Sequence, residues 1–318
     1  MFLVTVTGCL GLIGSHITKR CLDLGWKVYG IDSLTYAANL PFLSKFEKNE
    51  NFKFIKKDIA DLDFLPDCDY VINTAAESHV GNSIVNSDNF IQSNVVGVKN
   101  LLDLIKKKPK NVVDPPILLH FSTDEVYGDI KEGHHKEDTI LNPSNPYSAS
   151  KAAADMLVLA WARTYQVKYV IVRPTNNYGK GQYPEKLIPV TVKNLLRNKK
   201  LRLHNKGEPI RNWLHADDTA SAIIKIIKSG KTNEIYNISG GFEQKNKETF
   251  KKIYKSFFGI LSDKGWQNHV DLKHVRQGQD VRYALDDKKI RDLGWKPERD
   301  FDQEIQKIVK FYKKNFRW

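Results

Sequence analysis

Tyr147 and Lys151 stand four residues apart in Tyr147-Ser148-Ala149-Ser150-Lys151, directly after Pro146. A proline suits the first turn of a helix, and this spacing then sets the phenol and the ammonium on one face. A nearby ammonium favours phenolate over phenol, which would make the tyrosine a base toward an alcohol. The same spacing also fits two ordinary helix residues with a solvated lysine, so its meaning depends on what else reaches it. Ser122-Thr123 closes an apolar run, where a hydroxyl could hold the same substrate oxygen, and Asp124-Glu125 follow at once. Eliminating water needs one group to take a carbon-bound proton and another to protonate the departing hydroxyl. Two adjacent carboxyls supply both. Acids in a loop are mostly exposed charges; their place between Thr123 and the tyrosine–lysine pair singles these out.

A glycine turn supplies the third component. Thr7-Gly8-Cys9-Leu10-Gly11-Leu12-Ile13-Gly14 has G-x-x-G-x-x-G spacing between an apolar run and a helix-period segment. Backbone N–H groups and the helix dipole can hold a pyrophosphate there, free of side-chain obstruction. The glycines could instead serve only a tight turn. Asp32, at the end of the second apolar run, favours the dinucleotide, because its carboxylate can accept from an adenosine ribose. A carboxylate at that place repels a 2′-phosphate, so NAD is expected over NADP.

These residues need a frame that brings them together. Apolar runs rich in β-branched residues recur at 2–7, 27–32, 52–58, 70–76, 117–122 and 168–174. Helix-period segments at 12–24, 94–107 and 147–165 lie between them. That alternation predicts an α/β fold, a doubly wound parallel sheet of Rossmann type covered on both faces. Ligands then sit beyond the carboxyl ends of the strands. After Pro174 the pattern loosens, which predicts a change of domain. Residues 1–177 plus 212–242, with a strand at 235–239, are expected to form the dinucleotide-binding domain. Residues 178–211 plus 243–318 are expected to form a smaller α/β substrate-binding lobe. In the last helix Phe301, Ile305, Ile308, Val309 and Tyr312 share one face, which should pack on that lobe.

The 318 residues are 41% hydrophobic and 27% charged, which excludes a disordered tail and a fibre. Net charge is +13, and all the excess lies in segments 178–211 and 243–318, with 28 basic and 14 acidic residues. Those lysines are solvated helix faces or, on the sharper reading, partners of an anionic ligand. Cys9, Cys21 and Cys68 show no paired spacing, and the start of the chain lacks a secretion signal; both suggest a reducing, cytoplasmic setting. No run is long enough to span a membrane. The nine histidines, His134-His135 and His204 among them, lack ligand spacing, so no metal is expected. His79 is expected to orient a wall of the site.

The chain resembles the extended short-chain dehydrogenase/reductase family. Ser122-Thr123-Asp124-Glu125-Val126-Tyr127-Gly128 is similar to the signature of its nucleotide-sugar 4,6-dehydratases acting on dTDP-glucose or UDP-glucose. Further matching stretches are Leu34-Thr35-Tyr36-Ala37, Ala75-Ala76-Glu77-Ser78-His79-Val80, Asn176-Asn177-Tyr178-Gly179 and Pro184-Glu185-Lys186-Leu187-Ile188-Pro189. The resemblance implies that Tyr147, with Thr123 and Lys151, takes the proton of the sugar 4-hydroxyl while the C4 hydride passes to NAD. Glu125 then withdraws the C5 proton, Asp124 protonates the 6-hydroxyl as it leaves, and hydride returns to C6. It implies NAD contacts at Asp58-Ile59, Ala75, Ala76, Glu77, Asn94, Ser122 and Asn177, beside Gly8, Gly11, Leu12, Ile13, Gly14 and Asp32. It also implies nucleotide-sugar contacts at Ser83, Asn176, Glu185, Lys186, Leu187, Arg211 and Arg276.

The match has departures. Val275-Arg276-Gln277-Gly278-Gln279-Asp280 stands where dTDP-sugar enzymes usually read D-R-P-G-H-D. Gly81-Asn82-Ser83 replaces D-R-S, and Leu203-His204-Asn205-Lys206-Gly207 differs from I-Y-G-D-G beside the base. These touch nucleotide recognition rather than chemistry and lean toward UDP-glucose. The resemblance further implies a homodimer through the helices at 94–107 and 147–165, and early deoxysugar biosynthesis such as that of rhamnose. One rival is a 4-epimerase or decarboxylase on the same scaffold, though epimerases usually lack the acid pair. Another is a non-catalytic NAD- and RNA-binding protein; the uneven charge argues against a nucleic-acid partner.

Overall fold

A computed structural model describes residues 1–108, 114–260, 265–276 and 280–315; of the departures named above, Gln277-Gly278-Gln279 lies outside them. The strands are β1 (Leu3–Thr7), β2 (Lys27–Asp32), β3 (Phe52–Lys56), β4 (Tyr70–Asn73), β5 (Ile117–Phe121), β6 (Tyr169–Pro174), β7 (Asn176–Tyr178), β8 (Leu201–Arg202), β9 (Ile210–His215), β10 (Glu234–Ile238), β11 (Glu243–Lys245) and β12 (Val270–Asp271). The helices are α1 (Leu12–Asp23), α2 (Leu40–Phe46), α3 (Val80–Val85), α4 (Asp88–Ile91), α5 (Gly97–Lys106), α6 (Pro146–Tyr165), α7 (Leu187–Leu196), α8 (Ala216–Ser229), α9 (Asn246–Phe258), α10 (Lys288–Asp292) and α11 (Phe301–Asn315).

Strands in the order β10-β6-β5-β4-β1-β2-β3 form one sheet in which every neighbouring pair is parallel. Successive side chains of a strand point to opposite faces, and the sequence supplies apolar residues to both. Leu119, Val170 and Val172 pack with Ile17 and Cys21 of α1 and Ile223 and Ile227 of α8. Their neighbours Leu118 and Ile171 pack with Leu101 and Ile105 of α5 and Ala154 and Val158 of α6. This is the doubly wound Rossmann-type α/β fold. The chain winds outward through β1, β2 and β3, then crosses back to place β4 on the other side of β1. A crevice opens at that reversal, beyond the carboxyl ends.

The segment between 174 and 243 is divided between two sheets. Ile235–Ile238 lie in β10, at the outer edge of the large sheet beside β6. Residues 176–177 and 212–215, read from the sequence as part of the dinucleotide-binding domain, pair instead in a small sheet ordered β11-β9-β7. The second lobe packs α7, α9 and α11 around Ile188, Val192, Phe250, Ile253, Ile305 and Ile308. Its chain also returns to the large domain, where Ile290 and Trp295 join the core beneath α8. Among the described residues no helix is long and apolar enough to cross a membrane.

Candidate active site

A cleft of about 460 Å³ opens over the carboxyl ends of β1, β4, β5 and β6 and is walled on its far side by the second lobe. Its floor at one end is the glycine turn. Gly8 has φ +67, and a Cβ built there would lie 2.7 Å from Ala75 N. A Cβ on Gly14 would lie 2.1 Å from the Gly8 carbonyl oxygen, whereas Gly11 has room. The first and third glycines therefore let the turn close against β4 and α1, and the second leaves an open approach. Helix α1 begins here with no side-chain cap, so its opening amides and positive dipole end face the cleft, a cradle that fits a diphosphate. Asp32 closes β2 beside it, accepting from the Leu10 and Leu34 amides at 3.0 and 2.9 Å. Burial raises its pKa above the ordinary carboxylate range.

The catalytic candidates converge at the middle of the cleft. Asn145 caps α6 in a reciprocal capping box with Ser148, and Pro146 opens the helix, so Tyr147 enters the cleft from its first turn. Thr123 faces the phenol, and its hydroxyl donates to Asp124 Oδ1 at 3.1 Å. Asp124 is 1% exposed, and its Oδ2 has no hydrogen-bond partner among the described residues. Burial, reinforced by the charge of Glu125, pushes its pKa up to about 8. Asp124 therefore carries a proton at neutral pH, ready to be donated. Glu125 is only partly buried; its Oε2 accepts from Asn145 Nδ2 at 3.5 Å and lies 3.3 Å from the Tyr283 hydroxyl, whose hydrogen goes to the closer Asp280 carboxylate.

The tyrosine–lysine pair departs from the sequence reading. Burial, then the charges of Glu125 and Asp124, raise the pKa of Tyr147, against the lowering expected from Lys151. Lys151 is buried and turns its Nζ to the Phe121 carbonyl at 2.5 Å. Burial lowers it to about 8. Helix spacing put the two side chains on one face, yet the sheet beneath offers the ammonium a backbone oxygen that local spacing could not reveal.

The second lobe provides the electropositive end. Burial, and then the neighbouring Arg211 guanidinium, lower the pKa of Arg276. Arg276 Nε is buried without a partner among the described residues. Lys186, also lowered by burial, donates to the Ser78 carbonyl. A buried guanidinium nitrogen without a partner, with Arg211 and Lys186 lining the same end of the cleft, suits an anion. Burial and the nearby Lys186 lower His79, which caps α3 and lines the wall between.

The cleft brings together Gly8, Gly11, Leu12, Ile13, Gly14, Ala76, Ser122, Thr123, Asp124, Glu125, Tyr147, Lys151, Asn176, Asn177, Glu185, Lys186, Leu187, Arg211 and Arg276. Others stand behind its wall. Ser83 donates to the Val80 carbonyl and accepts from the Tyr147 amide, at 2.8 and 3.2 Å, so it seats α6. Asn94, in a π-helical turn ahead of α5, clamps the backbone of Glu77 and holds Ser150. Asp58 accepts from Ala60 N near Asp32, Ile59 is core, and Ala75 closes over Gly8. Ser122 points its hydroxyl inward to Asp155. Sequence reasoning missed Tyr283 and Asn145, which stand beside Glu125. Its place directly before Pro146 was a usable signal for Asn145; Tyr283 is 158 residues from Glu125 and had none. Among the described residues no cluster fit for a metal occurs.

A sequence model of the GDP-mannose 4,6 dehydratase family matches residues 5–308. The chain belongs to this family. It is similar to a dTDP-glucose 4,6-dehydratase of Escherichia coli, 38% identical over 99% of this chain and 94% of that one. The crystal structure of DesIV, a dTDP-glucose 4,6-dehydratase from Streptomyces venezuelae solved with NAD bound, superposes with a TM-score of 0.90. It is 37% identical, covering 98% of this chain and 97% of that one. A UDP-glucuronic acid 4-epimerase from Bacillus cereus shares the fold, with a TM-score of 0.89 and 23% identity over 98% and 99% of the two chains. Dehydratases and epimerases thus share this scaffold, and in this chain Asp124 and Glu125 sit at the centre of the cleft.

Proposed function

We propose that the protein is an NAD-dependent hydro-lyase converting a pyrimidine nucleoside-diphosphate glucose, dTDP-glucose first, to its 4-keto-6-deoxy product. The observation that carries this reading is the acid pair at the centre of the cleft, Asp124 buried with one oxygen unpartnered among the described residues and Glu125 beside it, facing Tyr147 across Thr123; burial raises the Asp124 pKa, which suits a proton donor. An epimerase has no step for either acid. NAD, when bound, accepts the C4 hydride and gives it back to C6. Gly8 to Gly14 would hold its diphosphate and Asp32 its ribose. Thr123 and Tyr147 hold the 4-hydroxyl and Tyr147 takes its proton as the phenolate, a form that burial disfavours and that the Lys151 ammonium and the positive nicotinamide of bound NAD would favour. Once C4 is a ketone the C5 proton is acidic. Glu125, beside Asn145 and Tyr283, takes it, Asp124 gives its own proton to the 6-hydroxyl as water leaves, and the proton on Glu125 returns to C5 when hydride reaches C6; Tyr147 and Asp124 regain their starting forms by proton exchange.

The diphosphate falls to Arg211, Arg276 and Lys186, with Asn176, Glu185 and Leu187 around the sugar. The two dehydratases named above, 37–38% identical, support dTDP-glucose over the UDP preference suggested by Asn82-Ser83. We assign residues 1–177 plus 212–242 mainly to cofactor binding and the rest mainly to the nucleotide sugar. A homodimer would bury the exposed Ile91 of α4, Val96 of the π-helical turn before α5, and Met156 of α6; the three buried, unpaired cysteines suit a cytoplasmic enzyme. Incubation with dTDP-glucose and UDP-glucose at equal concentration, followed by mass analysis, tests the reading. A product lighter by one water supports it, and one of unchanged mass favours epimerisation.

A further inference from the structure

Beneath the cleft, polar side chains of neighbouring strands stand in a row that the chemistry above does not use. Thr7 of β1, Asn73 of β4 and His120 of β5 are in register, and all three are buried. The Thr7 hydroxyl donates to Asn73 Oδ1 at 2.6 Å, which turns the Asn73 amide nitrogen toward His120 Nδ1 at 3.1 Å. Nδ1 therefore accepts, and the ring hydrogen lies on Nε2. Nε2 has no hydrogen-bond partner among the described residues and stands 3.7 Å from Asp155 Oδ1, which has none either. The other oxygen of Asp155 accepts from the Ser122 hydroxyl and from Arg173 Nε, each at 3.0 Å. Arg173 continues to the Tyr127 hydroxyl at 2.7 Å, and that hydroxyl donates to Asn237 of β10.

Asp155 lies one helical turn after Lys151 on α6, and both are sealed from solvent, at 0% and 3% exposure. A carboxylate this deep needs a partner for its charge, and so does the ammonium beside it. Arg173 and Ser122 hold Asp155 from the sheet side; Phe121 holds Lys151 through its carbonyl alone.

We propose that Asp155 is a positioning residue for the alcohol-oxidising half of the site: fixed by Arg173 and Ser122, its carboxylate keeps the buried Lys151 ammonium charged and seated on the Phe121 carbonyl. The inference rests on the role given above to Tyr147 and Lys151. The charged and titratable groups around Lys151 are Asp155 and Tyr147 on its own helix, His120 from β5, Arg173 from β6, and Asp124 and Glu125 above. Burial, Lys151 and Arg173 all disfavour a charged His120. Burial pulls Lys151 down, and Asp155 is the group that opposes it.

The experiment follows the Lys151 ammonium by NMR in lysine-labelled protein, its signal assigned by its loss in Lys151→Met, while pH is varied. In Asp155→Asn the midpoint should fall by about one pH unit or more, a tenfold shift toward the neutral amine. In the loaded enzyme the basic limb of the kcat profile should move the same way. Turnover should then drop about tenfold at pH 8 and recover toward the parent value near pH 6. Asp155→Glu should keep the midpoint near that of the parent. Should Asp155→Asn fail to fold, Ser122→Ala, which removes one donor to the carboxylate, should give a smaller shift in the same direction. An unmoved midpoint in the folded variant overturns the proposal, as does a loss of turnover by one factor at every pH. The titration needs no substrate: a parent protein without dehydration would refute the proposed function, and an unmoved midpoint would refute the role of Asp155.

Discussion

Replacing Asp124 by asparagine separates what this group does for the reaction from what it does to the fold. In the native protein its pKa rises from 3.8 to about 8. The native state thus holds a proton that the unfolded chain releases, and stability falls as pH rises between those values. Four pKa units correspond to about 6 kcal/mol when fully expressed, and to about 4 kcal/mol at pH 7. Relaxation and water entry reduce such penalties, so about 3 kcal/mol between pH 4 and 8 is the expectation. A neutral amide of the same shape has no such dependence. Urea unfolding of parent and Asp124→Asn at pH 5, 7 and 8.5 should show the variant gaining stability over the parent as pH rises. The same variant should lose roughly 10²-fold or more in turnover, because an amide cannot protonate the leaving hydroxyl. Taking the difference between the two proteins cancels Lys151, which titrates in both. A stability difference that stays constant across pH would show that Asp124 is ionised in the native state, and the assignment of the acid would fail.

Glu125→Gln should lower product formation by about 10²- to 10⁴-fold while still allowing oxidation at C4, seen as a 4-keto sugar that keeps its 6-hydroxyl; unimpaired product formation removes Glu125 from the scheme. Gly14→Ala would bring a methyl group to within 2.1 Å of the Gly8 carbonyl. It should therefore distort the turn, weaken NAD binding by at least tenfold in a fluorescence titration and destabilise the fold by about 1–3 kcal/mol. Unchanged NAD affinity would mean that the turn is not the cofactor cradle.

Local signals in the sequence were strong where a backbone requirement leaves a residue-type signature. The glycine turn is one case, since Gly8 and Gly14 leave no room for a Cβ. The proline-opened, asparagine-capped start of α6 is another, because it announces both the helix and the entry of Tyr147. Alternating apolar runs sufficed for the sheet because a parallel strand is buried on both faces. Features set by distant partners were not legible. The seat of Lys151 on Phe121 and the raised pKa of Tyr147 depend on which elements of the sheet lie under α6. Ser83 and Asn94, which the resemblance implies as ligand contacts, face into the structure, where they hold other residues in place. That residues 176–177 and 212–215 pair in the small sheet was not legible either, because β7 and β9 are short and no periodicity in three to six residues shows which strands pair.

The central claim is that one cleft oxidises C4 and expels the 6-hydroxyl within a single bound sugar. Glucose deuterated at C4, attached to the nucleoside diphosphate and turned over by the NAD-loaded protein, reports on it directly. The account predicts deuterium in the methyl group of a product that has lost water. Deuterium left at C4, or exchanged into solvent, would contradict it.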